Sequence, residues 1–396
     1  MIQISPETQL FIREHSSDDV RALALQAKKY PDIDMPTVIT QIAGRQVAAE
    51  KIPSWREIEE IWYPKHLSLE QCSSEITARY KARLLQGDSL TDLTGGFGID
   101  CSFLATGFKS ATYVERQEEL CEIAAHNFPI LNLNHINVRN EDGVAYLQSM
   151  SPVDCIFLDP ARRNEHGGKT VAISDCEPNV AELEALLLNK ANRVMIKLSP
   201  MLDLSLALKE LKHTQEIHIL SVNNECKELL ILLGQTSPTE ITIHCVNLLT
   251  KGTQEEQHLV FTREQEQRSQ CTYTDSLGNY LYEPNASLLK AGAFRSIAAA
   301  YPVRKLHPNS HLYISDSFIE NFPGRIFRIV NQCSFNKKEV KENLADLKKA
   351  NVTVRNFPAT VAELRKRLHL TEGGDTYLFA STLNNGQKVI IRCEKV

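Results

Sequence analysis

A short glycine-rich stretch, residues 92–98 with the sequence DLTGGFG, is the clearest candidate binding site in the chain. Glycine permits positive φ and the close approach of a ligand, and a helix that starts here presents free N–H groups. The stretch predicts a strand that turns tightly into a helix, with room for a nucleotide. Its candidate binding residues are Asp92, Thr94, Gly96 and Gly98.

Three further acidic residues follow apolar runs downstream of this turn. Glu115 closes the run 111–114, Asp142 comes shortly after the run 136–138, and Asp159 closes the run 155–158. A carboxylate about twenty residues after a glycine turn suits the two ribose hydroxyls of a nucleoside. Since ligands of open parallel sheets bind at the carboxyl ends of the strands, we expect these residues to converge on one crevice.

Asp159 and Lys197 are the candidate catalytic residues. A carboxylate at a strand end can accept a hydrogen bond from an attacking N–H or O–H group, and Pro160 fixes the φ of its loop. Lys197 lies in an apolar run, residues 193–200, that predicts a buried strand. Because burying an unpaired ammonium group is costly, we expect Lys197 to pair with Asp159.

Arg162 and Arg163 follow Asp159 closely in the sequence. Paired arginines can bind a phosphate bidentately, or they can end a strand with solvated charge. Both interpretations stay open, and the first makes them candidate substrate-binding residues.

The spacing of these motifs resembles that of the class I S-adenosylmethionine-dependent methyltransferases over about residues 85–235. Residues 92–98 match their first motif, Glu115 the second, Asp142 the third and Asp159-Pro160 the fourth. The resemblance implies a Rossmann-like, seven-stranded α/β core with Asp159 at the acceptor. It also implies a cofactor site for S-adenosylmethionine formed by Asp92, Thr94, Gly96, Gly98, Glu115, Asp142 and Pro160. Two departures are Thr94, where the first glycine is common, and Ala161-Arg162, which replaces the Pro-aromatic pair common in enzymes that methylate exocyclic base nitrogens.

The whole chain is similar to bacterial proteins predicted to be methyltransferases, in which a ferredoxin-like segment and a C-terminal THUMP-like domain follow the catalytic domain. The resemblance implies RNA, such as tRNA or rRNA, as the partner. The expected domains are an N-terminal helical region (1–85), a methyltransferase domain (86–235), a ferredoxin-like α+β domain (236–323) and a THUMP-like domain (324–396).

The methylated atom stays open. Ribose 2′-O-methyltransferases resemble one another in a Lys-Asp-Lys-Glu set, and Lys81, Asp159, Lys197 and Glu228 occur here in that order, which makes Glu228 a further candidate substrate-binding residue. Methylation of a base nitrogen requires only Asp159 and a stacking surface, and we favour it. A protein or small-molecule methyltransferase, or a non-catalytic protein that binds S-adenosylmethionine or RNA, are the alternatives.

Composition bounds these interpretations. The chain has 396 residues and a net charge of −5, but residues 324–396 contain 14 Lys and Arg against 7 Asp and Glu, which predicts a basic tail domain or a solvated charged face. The 10 cysteines form no CxxC pair, so we expect reduced thiols, a cytoplasmic protein and no metal. No apolar run is long enough to cross a membrane. The sequence leaves the oligomeric state open.

The periodicity of apolar residues predicts the elements around these motifs. Helices are expected over residues 8–27, 36–49 and 68–85. This helical region could serve as a lid or a substrate platform, or it could only pack against the core. Strands and helices alternate from residue 90, which predicts a parallel sheet with helices on both faces. Beyond Gly234 the pattern predicts α+β structure, with a helix over residues 287–300.

Overall fold

The structure, a computed structural model, describes residues 4–162, 172–251 and 256–396, with the backbone alone for His66, Leu67 and Arg162. Contacts between Cα atoms divide the chain into two units. The first comprises Met1–Gln215 and Leu230–Pro238, and the second comprises Glu216–Leu229 and Thr239–Val396.

Helices account for most of the N-terminal region and recur between the strands. In chain order they are α1 (Pro6–Glu14), α2 (Val20–Leu25), α3 (Met35–Lys51), α4 (Pro53–Arg56), α5 (His66–Gln71), α6 (Glu75–Ala82), α7 (Ile99–Ala105), α8 (Glu118–Ile130), α9 (Gly143–Ser149), α10 (Val180–Lys190), α11 (Leu204–Glu210), α12 (Arg263–Arg268), α13 (Ala286–Ala291), α14 (Phe294–Ala300), α15 (Lys337–Leu344) and α16 (Val361–Leu368).

The strands form two large sheets and one small one. In chain order they are β1 (Ser89–Asp92), β2 (Ser110–Glu115), β3 (Ile136–Asn140), β4 (Val153–Leu158), β5 (Ala161–Arg162), β6 (Cys176–Glu177), β7 (Ala191–Leu198), β8 (Thr214–Val222), β9 (Glu225–Gly234), β10 (Thr242–Leu248), β11 (Glu256–Thr262), β12 (Tyr280–Pro284), β13 (Arg304–Lys305), β14 (Tyr313–Ser315), β15 (Gly324–Ser334), β16 (Asn351–Arg355), β17 (Thr376–Thr382) and β18 (Lys388–Lys395).

The first unit is a Rossmann-like α/β core, as the sequence predicts. Its strands lie in the order β8-β9-β7-β4-β1-β2-β3. Of β8 only Thr214 and Gln215 belong to this unit, and of β9 only residues 230–234. The strands from β7 to β3 are parallel. Strand β4 has β1 on one side and β7 on the other, so the direction of strand order reverses between β1 and β4. Ligands of open α/β sheets bind at such a reversal, beyond the carboxyl ends of the strands.

The central strands are apolar because helices cover both faces of the sheet. Residues 155–158 of β4 and 194–198 of β7 are all buried, and Lys197 is the charged member of that set.

The N-terminal helices are shorter than the sequence predicts. The expected helix over residues 8–27 is wrong, because the chain turns after Glu14 and Asp19 starts α2 by accepting a hydrogen bond from Ala22 N. The expected helix over residues 68–85 breaks between α5 and α6, at residues 72–74. Helix α3 confirms the prediction for residues 36–49, with Asp34 as its N-cap.

In the second unit, β8 to β11 form a sheet in the order β11-β10-β8-β9. Strand β10 pairs with β8 in parallel and with β11 in antiparallel orientation. Asn223 and Asn224 join β8 to β9 with φ values of 48° and 70°. Two consecutive left-handed residues are typical of a type I′ hairpin turn, so the two strands form an antiparallel pair.

The rest of the second unit contains a seven-stranded sheet in the order β13-β14-β12-β15-β18-β17-β16. The predicted helix over residues 287–300 is wrong, because Gly292 takes a φ of 74° and separates α13 from α14. In the described part of the chain, no helix is both long and apolar enough to cross a membrane.

Candidate active site

The glycine turn lies at the reversal of strand order, between β1 and α7. Gly96 and Gly98 have φ values of 54° and 86°, which side chains rarely tolerate. A Cβ atom on Gly95 would lie 2.2 Å from the ring of Tyr113, whereas one on Gly96 would have only Thr94 O nearby, at 3.8 Å. The turn is therefore packed against β2 at Gly95 and open at Gly96.

Glu115 holds the turn in place from the end of β2. Its Oε2 accepts a hydrogen bond from Gly96 N at 2.9 Å, and its Oε1 accepts one from Gln117 N at 2.9 Å. The side chain is buried. Each carboxylate oxygen keeps a second lone pair, so the group can still accept hydrogen bonds from a ligand.

Thr94 and Asp142 occupy defined positions around the same strand ends. The hydroxyl of Thr94 accepts a hydrogen bond from Asp159 N at 2.6 Å, which connects the glycine turn to the loop after β4. Asp142 is exposed and caps α9, where its Oδ1 accepts hydrogen bonds from Val144 N and Ala145 N at 3.0 Å each.

The predicted ion pair between Lys197 and Asp159 is confirmed, at 2.5 Å between Nζ and Oδ2. Lys197 also pairs with Asp100 of α7 at 3.1 Å, and Lys81 of α6 pairs with the other oxygen of Asp100 at 2.9 Å. The hydroxyl of Ser73 lies between the two ammonium groups, 2.8 Å from Lys81 Nζ and 3.0 Å from Lys197 Nζ, and donates to Asp100 at 2.7 Å. We call Ser73, Lys81, Asp100, Asp159 and Lys197 the charged cluster.

Asp159 is the exposed end of the charged cluster. Its side chain is 36% exposed, whereas those of Lys81, Lys197 and Asp100 are 0%, 10% and 11% exposed. Asp159 is therefore the member that a substrate in the crevice can contact, while the others support it from behind.

Burial and neighbouring charges shift the pKa values of the acidic groups in different directions. Burial alone would raise the pKa of Asp100, but Lys197 and Lys81 outweigh it and lower that pKa. Burial raises the pKa of Asp159 despite the nearby ammonium of Lys197. Burial raises the pKa of Asp92 to about 8, although the Thr94 N–H donates a hydrogen bond to Oδ1 and opposes this shift. Oδ2 has no hydrogen-bond partner among the described residues.

The sequence did not predict Ser73 or Asp100 as site residues. Asp100 is a charged residue in the otherwise apolar first turn of α7, and this is the signal that points to a buried partner. Ser73 and Lys81 show that the N-terminal helical region contributes side chains to the crevice. The same region packs Trp55 against Phe97 of the glycine turn, with 5.4 Å between ring centroids.

The remaining predicted site residues lie outside the charged cluster, and some of them lie outside the described residues. Pro160 is buried directly after Asp159, and Arg162 ends β5. The side chain of Arg162 and all of Arg163 lie outside the described residues. Glu228 is buried in the second unit, on β9. The structure therefore brings Lys81, Asp159 and Lys197 of the Lys-Asp-Lys-Glu set together through Asp100.

The comparisons with known proteins include a solved structure that is similar over the full length. The crystal structure of a protein from Porphyromonas gingivalis W83, named "putative methyltransferase", is 34% identical, with all of both chains covered and a TM-score of 0.87. A family model described as a ferredoxin-like domain matches residues 280–323, and one described as THUMP domain-like matches residues 324–395. No curated protein matches this chain in sequence.

Other solved structures are similar only in part. An rRNA methylase from Streptococcus thermophilus is 15% identical over 40% of this chain and 93% of its own, with a TM-score of 0.29. TrmK from M. capricolum, in complex with S-adenosyl-homocysteine, is 12% identical over 42% of this chain and 68% of its own, with a TM-score of 0.32. At these scores neither likeness bears on the chemistry of this chain.

Proposed function

We propose that this chain, which belongs to the class I S-adenosylmethionine-dependent methyltransferases with ferredoxin-like and THUMP-like domains, methylates a nitrogen of an RNA base. The observation that carries the proposal is the position of Asp159. Its partly exposed carboxylate lies at the reversal of strand order and is bonded through its backbone to the glycine turn.

The residues of the glycine turn fit S-adenosylmethionine, which supplies a methyl group on a sulfonium for in-line attack. Gly96 leaves open space where a Cβ would lie, and Glu115 keeps lone pairs for ribose hydroxyls. Asp92 presents a buried oxygen that the described residues leave without a hydrogen bond. Thr94, Gly98, Asp142 and Pro160 complete the proposed cofactor site.

Asp159 would orient the acceptor nitrogen by accepting a hydrogen bond from its N–H group. Two carboxylates lie within 3.1 Å of Lys197 Nζ and favour its charged form. A charged lysine can hold Asp159 in place, but it cannot take a proton. This arrangement favours a base nitrogen, which needs no strong base, as the acceptor.

Ribose 2′-hydroxyl methylation is the second candidate. The specific observation in its favour is that Lys81 and Lys197 both reach Asp100, with Asp159 beside them, in the order of the Lys-Asp-Lys-Glu set. In this case Lys197 would release its proton before it accepts the one from the hydroxyl.

An RNA acceptor is supported by the charge of the THUMP-like segment. Its arginines Arg325, Arg328, Arg355, Arg365 and Arg392 form ion pairs within the second unit. Lys337 and Lys341 lie one helical turn apart on α15, and both are exposed. Among the described residues they have no acidic partner within 4.0 Å, so they are available to a phosphate backbone.

The test is transfer of tritium from methyl-labelled S-adenosylmethionine to total RNA from a strain that lacks this protein. We expect label in RNA, and we expect Asp159→Ala to lower the rate by at least about 100-fold while cofactor binding persists. Asp88→Ala is the matched control, because Asp88 is an exposed aspartate that pairs with the exposed Lys109.

Digestion of the labelled RNA decides between the two acceptors. Labelled base-modified nucleosides support the base nitrogen, whereas labelled dinucleotides that resist alkali show a 2′-O-methyl group. Label in protein or small molecules, or cofactor binding without any transfer, would overturn the RNA proposal. The double variant Lys337→Glu/Lys341→Glu should raise KM for RNA and leave cofactor affinity unchanged.

A further inference from the structure

Four side chains of types that can bind a transition metal lie together in the second unit. None of them is a residue of the proposed active site. Glu216 and His218 belong to β8, His244 to β10 and His258 to β11. The sequence predicts no metal, because these residues have none of the close Cys and His spacings of zinc motifs. We call Glu216, His218, His244 and His258 the histidine cluster.

The pairing of the strands explains why the four residues meet. Glu216 and His218 are two residues apart on β8, so they point to the same face of the sheet. His218 pairs directly with His244 across the parallel β8–β10 ladder. His258 pairs with Val246, two residues from His244 and on the same face. Three adjacent strands therefore present their ligand groups on one rigid surface.

The distances are close to those of a metal centre. Glu216 Oε2 lies 3.2 Å from His218 Nε2, and His244 Nδ1 lies 3.3 Å from His258 Nε2. In a tetrahedral site with metal–ligand bonds of about 2.0–2.1 Å, two ligand atoms lie roughly 3.3–3.4 Å apart. One ligand atom each from Glu216, His218 and His244 all lie within 4.8 Å of one another. Because imidazole lone pairs lie in the ring plane, His218 and His244 would rotate out of their stacked arrangement to bind one ion.

The environment of the cluster suits a cation. The rings of His218 and His244 stack in parallel with 4.2 Å between centroids, and those of His244 and His258 are 5.4 Å apart. His218 is buried, but His258 is exposed, so an ion can enter from solvent.

We propose that the histidine cluster binds one divalent transition-metal ion of the Zn²⁺ class. Imidazole nitrogens with one carboxylate suit Zn²⁺ and its neighbours in the first transition row, whereas Mg²⁺ and Ca²⁺ prefer oxygen ligands alone. The bound ion would join β8 to β10, and also to β11 where His258 is a ligand. Glu216, His218 and His244 are the ligands, and His258 or a water molecule takes the fourth position.

The test is a titration of the full-length chain, without a polyhistidine tag and after treatment with a chelator, with ZnCl₂ in a calorimeter. We expect one Zn²⁺ per chain. Glu216→Gln keeps the shape of the side chain and should weaken binding by at least about tenfold, as should His244→Ala. CoCl₂ should give the visible absorption of tetrahedral Co²⁺ in the wild-type chain and lose it in His244→Ala.

His369→Gly is the matched control. His369 is an exposed histidine of the same unit with a φ of 55° after α16, where glycine is favoured, so the variant keeps its fold and loses one imidazole. Its affinity for Zn²⁺ should equal that of the wild type. Equal affinity in Glu216→Gln, or an equal loss in His369→Gly, would overturn the proposal, as would no uptake at a fivefold excess of Zn²⁺. The folded state of every variant is checked by circular dichroism.

Discussion

Asp100→Asn is the substitution that most directly tests the charged cluster. Asp100 is the carboxylate that both lysines share, at 2.9 Å from Lys81 Nζ and 3.1 Å from Lys197 Nζ. The asparagine keeps the size of the side chain but removes its charge. Lys81 and Lys197 then both lose this negative charge, while Asp159 stays beside Lys197.

The expected loss of stability is large because these groups are buried. At an effective dielectric constant of about 20, two unit charges 2.9 Å apart attract by roughly 6 kcal/mol before desolvation is considered. Removing one partner of a buried ion pair typically costs about 3–5 kcal/mol, because the other charge stays buried. We therefore expect Asp100→Asn to lower the free energy of unfolding of the first unit by that amount.

Tryptophan fluorescence during urea unfolding measures this unit separately. The chain has 2 tryptophans, Trp55 and Trp62, and both belong to the first unit. The midpoint and slope of the fluorescence transition therefore report the stability of the unit that contains the charged cluster.

Asp88→Asn is the matched control, because Asp88 pairs with Lys109 at the same 2.9 Å, but both side chains are more than two-thirds exposed. We expect a loss below about 1 kcal/mol for this surface pair. In the double variant Lys81→Met/Asp100→Asn one positive and one negative charge leave together, so it should be more stable than Asp100→Asn alone. If Asp100→Asn costs no more than Asp88→Asn, the electrostatic account of the charged cluster is wrong.

Three further substitutions test the glycine turn. Asp92→Asn removes a carboxyl whose pKa is raised to about 8, so that between about pH 4 and 8 only the unfolded wild-type chain loses this proton. The wild type should lose on the order of 1 kcal/mol per pH unit relative to the variant over that range, and melting curves should show the difference levelling off above about pH 8. Gly95→Ala should destabilise by about 1–3 kcal/mol in urea, because its Cβ would meet Tyr113 at 2.2 Å, whereas Gly107→Ala meets nothing closer than 3.7 Å and should be tolerated. Thr94→Val removes the acceptor of the Asp159 N–H and should cost about 1–3 kcal/mol, and an unchanged urea midpoint would contradict this role.

Local patterns were enough to predict part of the site. A glycine turn after an apolar run and a carboxylate at the end of an apolar run are each patterns of a few neighbouring residues, so Gly96 and Glu115 could be predicted without the fold. The pair of Lys197 with Asp159 could be predicted because a lysine within a buried strand needs a partner.

The rest of the site depends on tertiary contacts that no local pattern contains. Asp100 meets Lys197 across 97 residues of sequence, and Ser73 meets Lys197 across 124. The histidine cluster depends on the register of β8 against β10. A shift of one residue would turn Glu216 and His218 to the other face of the sheet. The predicted helix over residues 8–27 is too long, because Asp19 caps the start of a separate helix, α2.

The two-part composition of the first unit has a consequence for biosynthesis. The chain leaves this unit after Gln215 and returns to it at Leu230. The ribosome therefore adds about 30 residues between the end of β7 and the part of β9 that pairs with it. At about 5–20 residues per second, this interval lasts roughly 2–6 s. Throughout it, one edge of an apolar strand is unpaired, which is the kind of surface that other nascent strands recruit. The first unit thus completes its fold late, and a ribosome that pauses after β7 has left the exit tunnel and before residues 230–234 have left it should favour aggregation of the nascent chain.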